Sequence, residues 1–209
     1  MRRQSQCDEI NTNHENSKYA GGYKLNDSII ATTNLDKAIL DKDIVFVCIP
    51  SKHFREVSIQ IAKIASSNTV FVSCTKGMEP ETMTLMSDIL KEELNTDLIG
   101  VLSGPNLAKE IMQGMPSGTV IASENEQVID LTQTVLSSEK LRVYTNKDRN
   151  GVELGGTLKN IYAVATGLVA ALGYGANTQS RIMTRGIAEI SRYCISMGAG
   201  PMTFVGLAG

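Results

Sequence analysis

A doubly wound, mostly parallel α/β sheet followed by a helical unit is the fold class that this 209-residue sequence predicts, and three observations predict it. Five short, apolar, β-branched runs recur within the first 150 residues. Between them lie stretches with apolar residues at three- and four-residue spacing, the signature of helices that bury one face. Near residue 150 the composition changes: residues 151–209 carry six of the 42 charged side chains but 11 of the 18 glycines. Strands that are apolar throughout belong to a sheet covered on both faces, and their alternation with helices gives the doubly wound arrangement.

The expected strands are 44–49 (IVFVCI), 69–74 (TVFVSC), 98–103 (LIGVLS), 119–122 (TVIA) and 141–144 (LRVY). Val57, Ile61 and Ile64 mark one intervening helix; Met83, Met86, Ile89 and Leu90 mark another. The polar run TNKDRN at 145–150 supplies a boundary and a helix cap. Beyond it, 151–172 and 178–197 read as two long helices whose small residues allow close contact. GYGANT at 173–178 imitates the start of a GxGxxG dinucleotide loop, but it lacks the third glycine and follows an Ala-rich helical pattern. It reads as the turn between the two helices.

Composition narrows the function. With 42% apolar and 20% charged residues and a net charge of −2, the sequence fits a globular protein and offers no electrostatic reason for nucleic acid or an anionic membrane as partner. The N-terminal twenty residues contain no apolar core of a secretory signal, and the longest uncharged apolar stretch, 161–172, falls well short of the roughly twenty residues a bilayer requires. Cys7, Cys48, Cys74 and Cys194 are far apart in the chain with no CxxC pair, which predicts reduced thiols and a cytoplasmic protein. His14 and His53 have no partners at ligand spacing, so no metal site is expected.

Parallel sheets bind ligands at the carboxyl ends of their strands. That rule selects IPSKHF after the first run, SCTKG with Lys76 and the flexible Gly77 after the second, and LSGPNLAKE after the third, where Gly104 and Pro105 turn the chain and Asn106 is placed to cap a helix. Each is also an ordinary strand-to-helix turn. Lys159, the only lysine of the last 59 residues, sits in GVELGGTLKNIYAVATG among Gly, Leu, Ile and Ala. It either snorkels to the surface or is partly desolvated, with a lowered pKa suited to proton transfer. Glu153, six residues earlier, lies off that helical face and is not its obvious ion-pair partner.

Taken together, DIVFVCIPS, SCTKGMEP, LSGPNLAKEI, RVYTNKDRNGVELGGTLKNIYAVATG, GYGANTQSRIMTRGIAEI and GAGPMTFVGLAG, in this order, resemble bacterial NAD(P)-dependent sn-glycerol-3-phosphate dehydrogenases over nearly the whole chain. The resemblance implies a Rossmann-like domain at 1–147 and a helical substrate domain at 148–209, both partial. It implies hydride transfer between NADH or NADPH and dihydroxyacetone phosphate, giving sn-glycerol 3-phosphate for phospholipid synthesis, and leaves room for a homodimer. Lys159 then matches the proton donor and acceptor, while Lys76 matches a lysine that contacts both substrate and cofactor. Gly104 and Asn106 match substrate contacts; Ala108, Arg3 and Arg2 match cofactor contacts, the arginines near the adenosine ribose.

The same resemblance implies departures. The family's opening strand and GxGxxG loop do not occur in the sequence, and the chain stops at LAG before the family's GD segment and Arg-Asn pair. The expectation is therefore an incomplete chain with impaired activity. Its missing central strand would leave two neighbouring strands with unpaired backbone groups or force them to re-pair. Ser180 and Arg181, where the family has small apolar residues, are expected to disturb close helix packing. Two alternatives stand beside this reading: a non-catalytic binding module or pseudoenzyme, and a related two-domain hydroxy-acid dehydrogenase.

Overall fold

A computed structural model of the chain describes residues 3–207. The polar N-terminal segment forms α1 (Gln4–Asn13), α2 (Ser17–Ala20) and α3 (Leu35–Ile39). Strands and helices then alternate: β1 (Ile44–Val47), α4 (Phe54–Ala62), β2 (Val70–Ser73), α5 (Met86–Leu94), β3 (Ile99–Ser103), α6 (Ala108–Met112), β4 (Ser117–Ala122), α7 (Glu126–Leu136) and β5 (Leu141–Asn146). Two long helices, α8 (Arg149–Ala171) and α9 (Ala176–Ser196), follow. All five apolar runs are strands, and GYGANT turns between α8 and α9, with Gly173 at φ +82° and Gly175 just before α9.

The five strands form one sheet in the order β1-β2-β3-β4-β5. β1, β2 and β3 run parallel, as do β4 and β5, whereas β3 and β4 are antiparallel. The reversal has a local cause. A parallel return needs a crossover helix that packs on the sheet, and α6 is five residues long with no buried side chain. The chain therefore doubles back beside β3.

Both faces are covered, as the apolar runs require. Ile39, Phe54, Ile61, Met86, Ile89 and Leu90 from α3, α4 and α5 bury Val47, Phe71 and Ile99 on one face. On the other face, Val128 and Ile129 of α7 close over Val70, Val72, Ile121 and Val143. Among the described residues β1 pairs with β2 alone and β5 with β4 alone, so these two strands form the edges of the sheet.

Two further clusters seat the helical hairpin. Val152 packs with Val101, Val120 and Ala122 of β3 and β4, and Leu154 packs with Leu85, Ile190, Cys194 and Phe204. α8 and α9 meet at Gly186, where a Cβ would run into the Tyr162 ring. Ser180 and Arg181 are exposed on α9 and leave that contact intact, contrary to the expected disturbance.

Asp148 explains where α8 begins. Its carboxylate accepts from the Gly151 N–H at 2.9 Å, capping the helix, and from the Gly200 N–H at 2.7 Å; the Thr203 hydroxyl also donates to it. A single carboxylate thus caps α8 and ties down the segment after α9. Asp148→Ala is expected to lower stability by about 2 kcal/mol, the upper end for loss of an N-cap, as measured by urea unfolding. A change under a few tenths would show that water replaces all three bonds.

Candidate functional site

The carboxyl ends of β1, β2 and β3 meet the middle of α8, and small residues make the approach possible. Gly156 of α8 lies against Ser103 at the end of β3, so close that a Cβ would collide with the Ser103 hydroxyl. At the next residue of α8, the Thr157 hydroxyl accepts the Gly77 N–H at 3.1 Å. Gly77, at φ +133°, is the glycine that follows Lys76, and a Cβ on it would meet the Ser51 side chain at 3.1 Å. Three strand-end turns and one helix are joined by these contacts. Lys76 directly precedes Gly77 and Lys159 follows Thr157 by two residues on α8, so the Gly77–Thr157 bond brings the two lysine-bearing segments together.

The electrostatics agree with that placement. Lys159 is half-buried, and its ammonium pKa is lowered, first by burial and second by repulsion from Lys76. A lysine that merely snorkelled would keep its head in water. Lys159 lines one end of a groove of about 580 Å³ between α8 and α9, with Asn160, Thr166, Gln179 and Met183 further along. Two buried hydroxyls, Ser103 Oγ and Thr166 Oγ1, have no hydrogen-bond partner among the described residues. Buried polar atoms of that kind are ordinarily satisfied, so a polar ligand or water suits both places.

The SGPN turn is built differently from the sequence expectation. Gly104 adopts φ +152° where a Cβ would press on Thr119 Cα at 3.1 Å and Gly118 O at 3.2 Å, so glycine lets the turn pass beside β4. Asn106 caps no helix: α6 starts at Ala108 behind Leu107 without a side-chain cap. Instead, Asn106 Nδ2 donates to Thr119 Oγ1 at 2.9 Å, and that hydroxyl donates to the Ser103 carbonyl at 3.0 Å. Ser51 packs on Gly77.

Not every sequence candidate joins this cluster. Ala108 is exposed at the start of α6. Arg3 precedes α1 with an exposed side chain, its carbonyl accepting from Gln6 and Cys7; no hydrogen bond links it to the lysines among the described residues. Arg2 lies outside the described residues.

Sequence reasoning missed the buried charged network between the start of α8 and the start of α5. Glu153 is buried, and Oε1 accepts the Ser87 N–H at 3.0 Å while Oε2 accepts from the Ser87 hydroxyl. The Ser87 hydroxyl in turn accepts from Arg149, which also pairs with Asp88 at 2.9 Å. Glu153 thus supplies the acceptor for the N-terminal end of α5, where Leu85 provides no side-chain cap. Burial pushes the Glu153 carboxyl up to about 7, against the opposing pull of the Ser87 bonds and Arg149. A charged residue inside a charge-poor segment was the signal available in the sequence.

Among the described residues no helix is long and apolar enough to cross a membrane, and no His, Cys, Asp and Glu cluster is arranged to hold a metal ion.

An amine at a strand end, Lys76, and a second on the helix that packs against those ends, Lys159, place the chain in a class: α/β proteins with a doubly wound sheet, whose ligand sites lie at the carboxyl edge. Within that class the chain belongs to the NAD-dependent glycerol-3-phosphate dehydrogenase family, whose N-terminal domain model matches residues 1–129 and whose C-terminal domain model matches residues 148–209. It is 49% identical to a glycerol-3-phosphate dehydrogenase [NAD(P)+] of Teredinibacter turnerae over all 209 residues, which make up 62% of that relative. The corresponding protein of Acinetobacter baylyi is 51% identical over the same 209 residues, 58% of its length. The crystal structure of glycerol-3-phosphate dehydrogenase from Coxiella burnetii superposes with a TM-score of 0.93 at 30% identity, covering all of this chain and 64% of that one. The chain therefore spans about three-fifths of the curated relatives it matches.

Proposed function

We propose that this chain carries the carbonyl-reducing centre of an NAD(P)-dependent sn-glycerol-3-phosphate dehydrogenase, acting on dihydroxyacetone phosphate in the cytoplasm. The observation that supports it most is the Gly77–Thr157 bond, which joins the Lys76 turn to the α8 segment carrying Lys159, with the Lys159 pKa lowered by burial and by Lys76. Residues 1–147 form the cofactor side and 148–209 the substrate side. Lys76 at the end of β2 is the group placed to meet the cofactor, and Ala108, with Arg3 more remotely, extends the cofactor surface. A bound nicotinamide dinucleotide supplies the hydride.

Lys159 does the proton chemistry. As negative charge grows on the substrate carbonyl oxygen, an ammonium within hydrogen-bond reach stabilises the transition state more than the ground state. Partial burial strengthens that attraction, and the lowered pKa eases release of the proton to the new alkoxide. Lys76 orients the substrate and shares the charge, while Gly104 and Asn106 shape the opposite wall.

The test is oxidation of NADH or NADPH by the purified 209-residue chain. Dihydroxyacetone phosphate is expected to support slow oxidation, slow because the sequence contains no GxGxxG loop to hold the cofactor pyrophosphate. Keto acids without a phosphate are expected to support none. Faster turnover of a keto acid would overturn the substrate assignment.

A further inference from the structure

Cys48 and Cys74, 26 positions apart in the chain, are neighbours in the fold. β1 and β2 are parallel with Val47 opposite Ser73, and Cys74 N–H donates to Val47 O at 3.0 Å, so the next residues on each strand, Cys48 and Cys74, face one another. They also share a face. Val45 and Val47 pack with Phe71, which leaves Ile44, Phe46 and Cys48 on the side of Val70, Val72 and Cys74. Adjacent strands run about 4.8 Å apart, inside the 4.4–6.8 Å Cα range that a disulfide spans. Just beyond, the Thr75 hydroxyl donates to Ile49 O at 2.7 Å and holds the two strand ends together.

We propose that Cys48 and Cys74 are a redox modification site, converted by a peroxide into a reversible disulfide across the carboxyl ends of β1 and β2. Exposure sets the order of events: Cys48 is exposed, Cys74 half-buried, and Cys7 and Cys194 are buried. The neighbouring Cys74 holds the Cys48 thiol down to about 7, while Cys74's own is pushed up by Cys48 and by burial. The Cys48 thiolate sulfur attacks one peroxide oxygen; the O–O bond breaks, hydroxide leaves to become water, and Cys48 becomes a sulfenic acid. The Cys74 sulfur then attacks the Cys48 sulfur, its thiol proton passing to the departing hydroxyl. The S–O bond breaks, the S–S bond forms and a second water leaves. Two electrons have moved from the sulfurs to the peroxide.

The disulfide would clamp the strand ends two residues before Lys76. Its formation is independent of the proposed reaction, because both sulfurs belong to the chain.

The experiment treats the folded, reduced chain with stoichiometric hydrogen peroxide at low protein concentration, followed by blocking of free thiols, trypsin and mass spectrometry. Expected is one dominant linkage, between peptides 43–52 and 64–76, with the loss of two hydrogens, reversed by dithiothreitol. Cys74→Ser should accumulate sulfenic acid on Cys48, trapped by dimedone. Cys48→Ser should abolish the linkage, and Cys7→Ser should not. Thermal unfolding of each variant by circular dichroism establishes that it is folded. Linkage of Cys48 to Cys7 or Cys194, linkage between two chains, sulfinic acid on Cys48 with Cys74 left free, or no oxidation at all would overturn the proposal.

Discussion

Lys159→Met is expected to lower dihydroxyacetone phosphate reduction by about 10²–10⁴-fold, the range for loss of a positioned general acid, while the chain stays folded. Methionine keeps most of the side-chain volume in the groove between α8 and α9 and removes only the ammonium. The wild-type rate of reduction should fall as pH rises through the Lys159 pKa, because the reducing direction requires the protonated amine. Burial and then Lys76 lower that pKa, so Lys76→Met should move the fall to higher pH. NMR titration of ¹³C-methylated lysines reads the same pKa without cofactor or turnover. A Lys159 signal that titrates with the surface lysines, unmoved by Lys76→Met, would remove the basis for the catalytic assignment.

Arg149→Met should cost about 3–5 kcal/mol of stability near pH 8, the range for breaking a buried charged pair. It leaves Ser87 and Glu153 buried without the guanidinium that balances them. The loss should shrink near pH 5, because a carboxyl freed of its cation takes a proton instead of remaining buried and charged. The wild-type chain should show a related trend. The Glu153 carboxyl is raised from 4.5 to about 7 on folding, so its contribution is fully present below about pH 4.5 and is lost as pH climbs through about 7. A shift of that size corresponds to about 3 kcal/mol. Urea midpoints between pH 5 and pH 8 measure it, and Glu153→Gln should flatten the slope. An unchanged slope in that variant would assign the pH dependence elsewhere.

The strands were legible because fully apolar β-branched runs have few alternatives in a covered sheet; 44–49, 69–74 and 98–103 differ from β1, β2 and β3 only at their ends. The turns after them were legible because ligand sites in such sheets lie at strand ends. The antiparallel pairing of β4 was not, since it depends on α6 failing to pack on the sheet. Nor could spacing reveal that Asn106 bonds to Thr119 rather than capping a helix, because both partners suit an amide equally well.

Composition and motif order by themselves determined the fold class and the family expectation, because these follow from periodicity and local chemistry along the chain. Only the tertiary structure decided which side chains meet. It set Gly77 on Thr157, left Lys159 half-buried with a lowered pKa, put Glu153 under α5, and brought together two cysteines that the sequence separates. Such contacts depend on strand register and on how closely α8 can approach the sheet at Gly156, and neither is a property of any short segment.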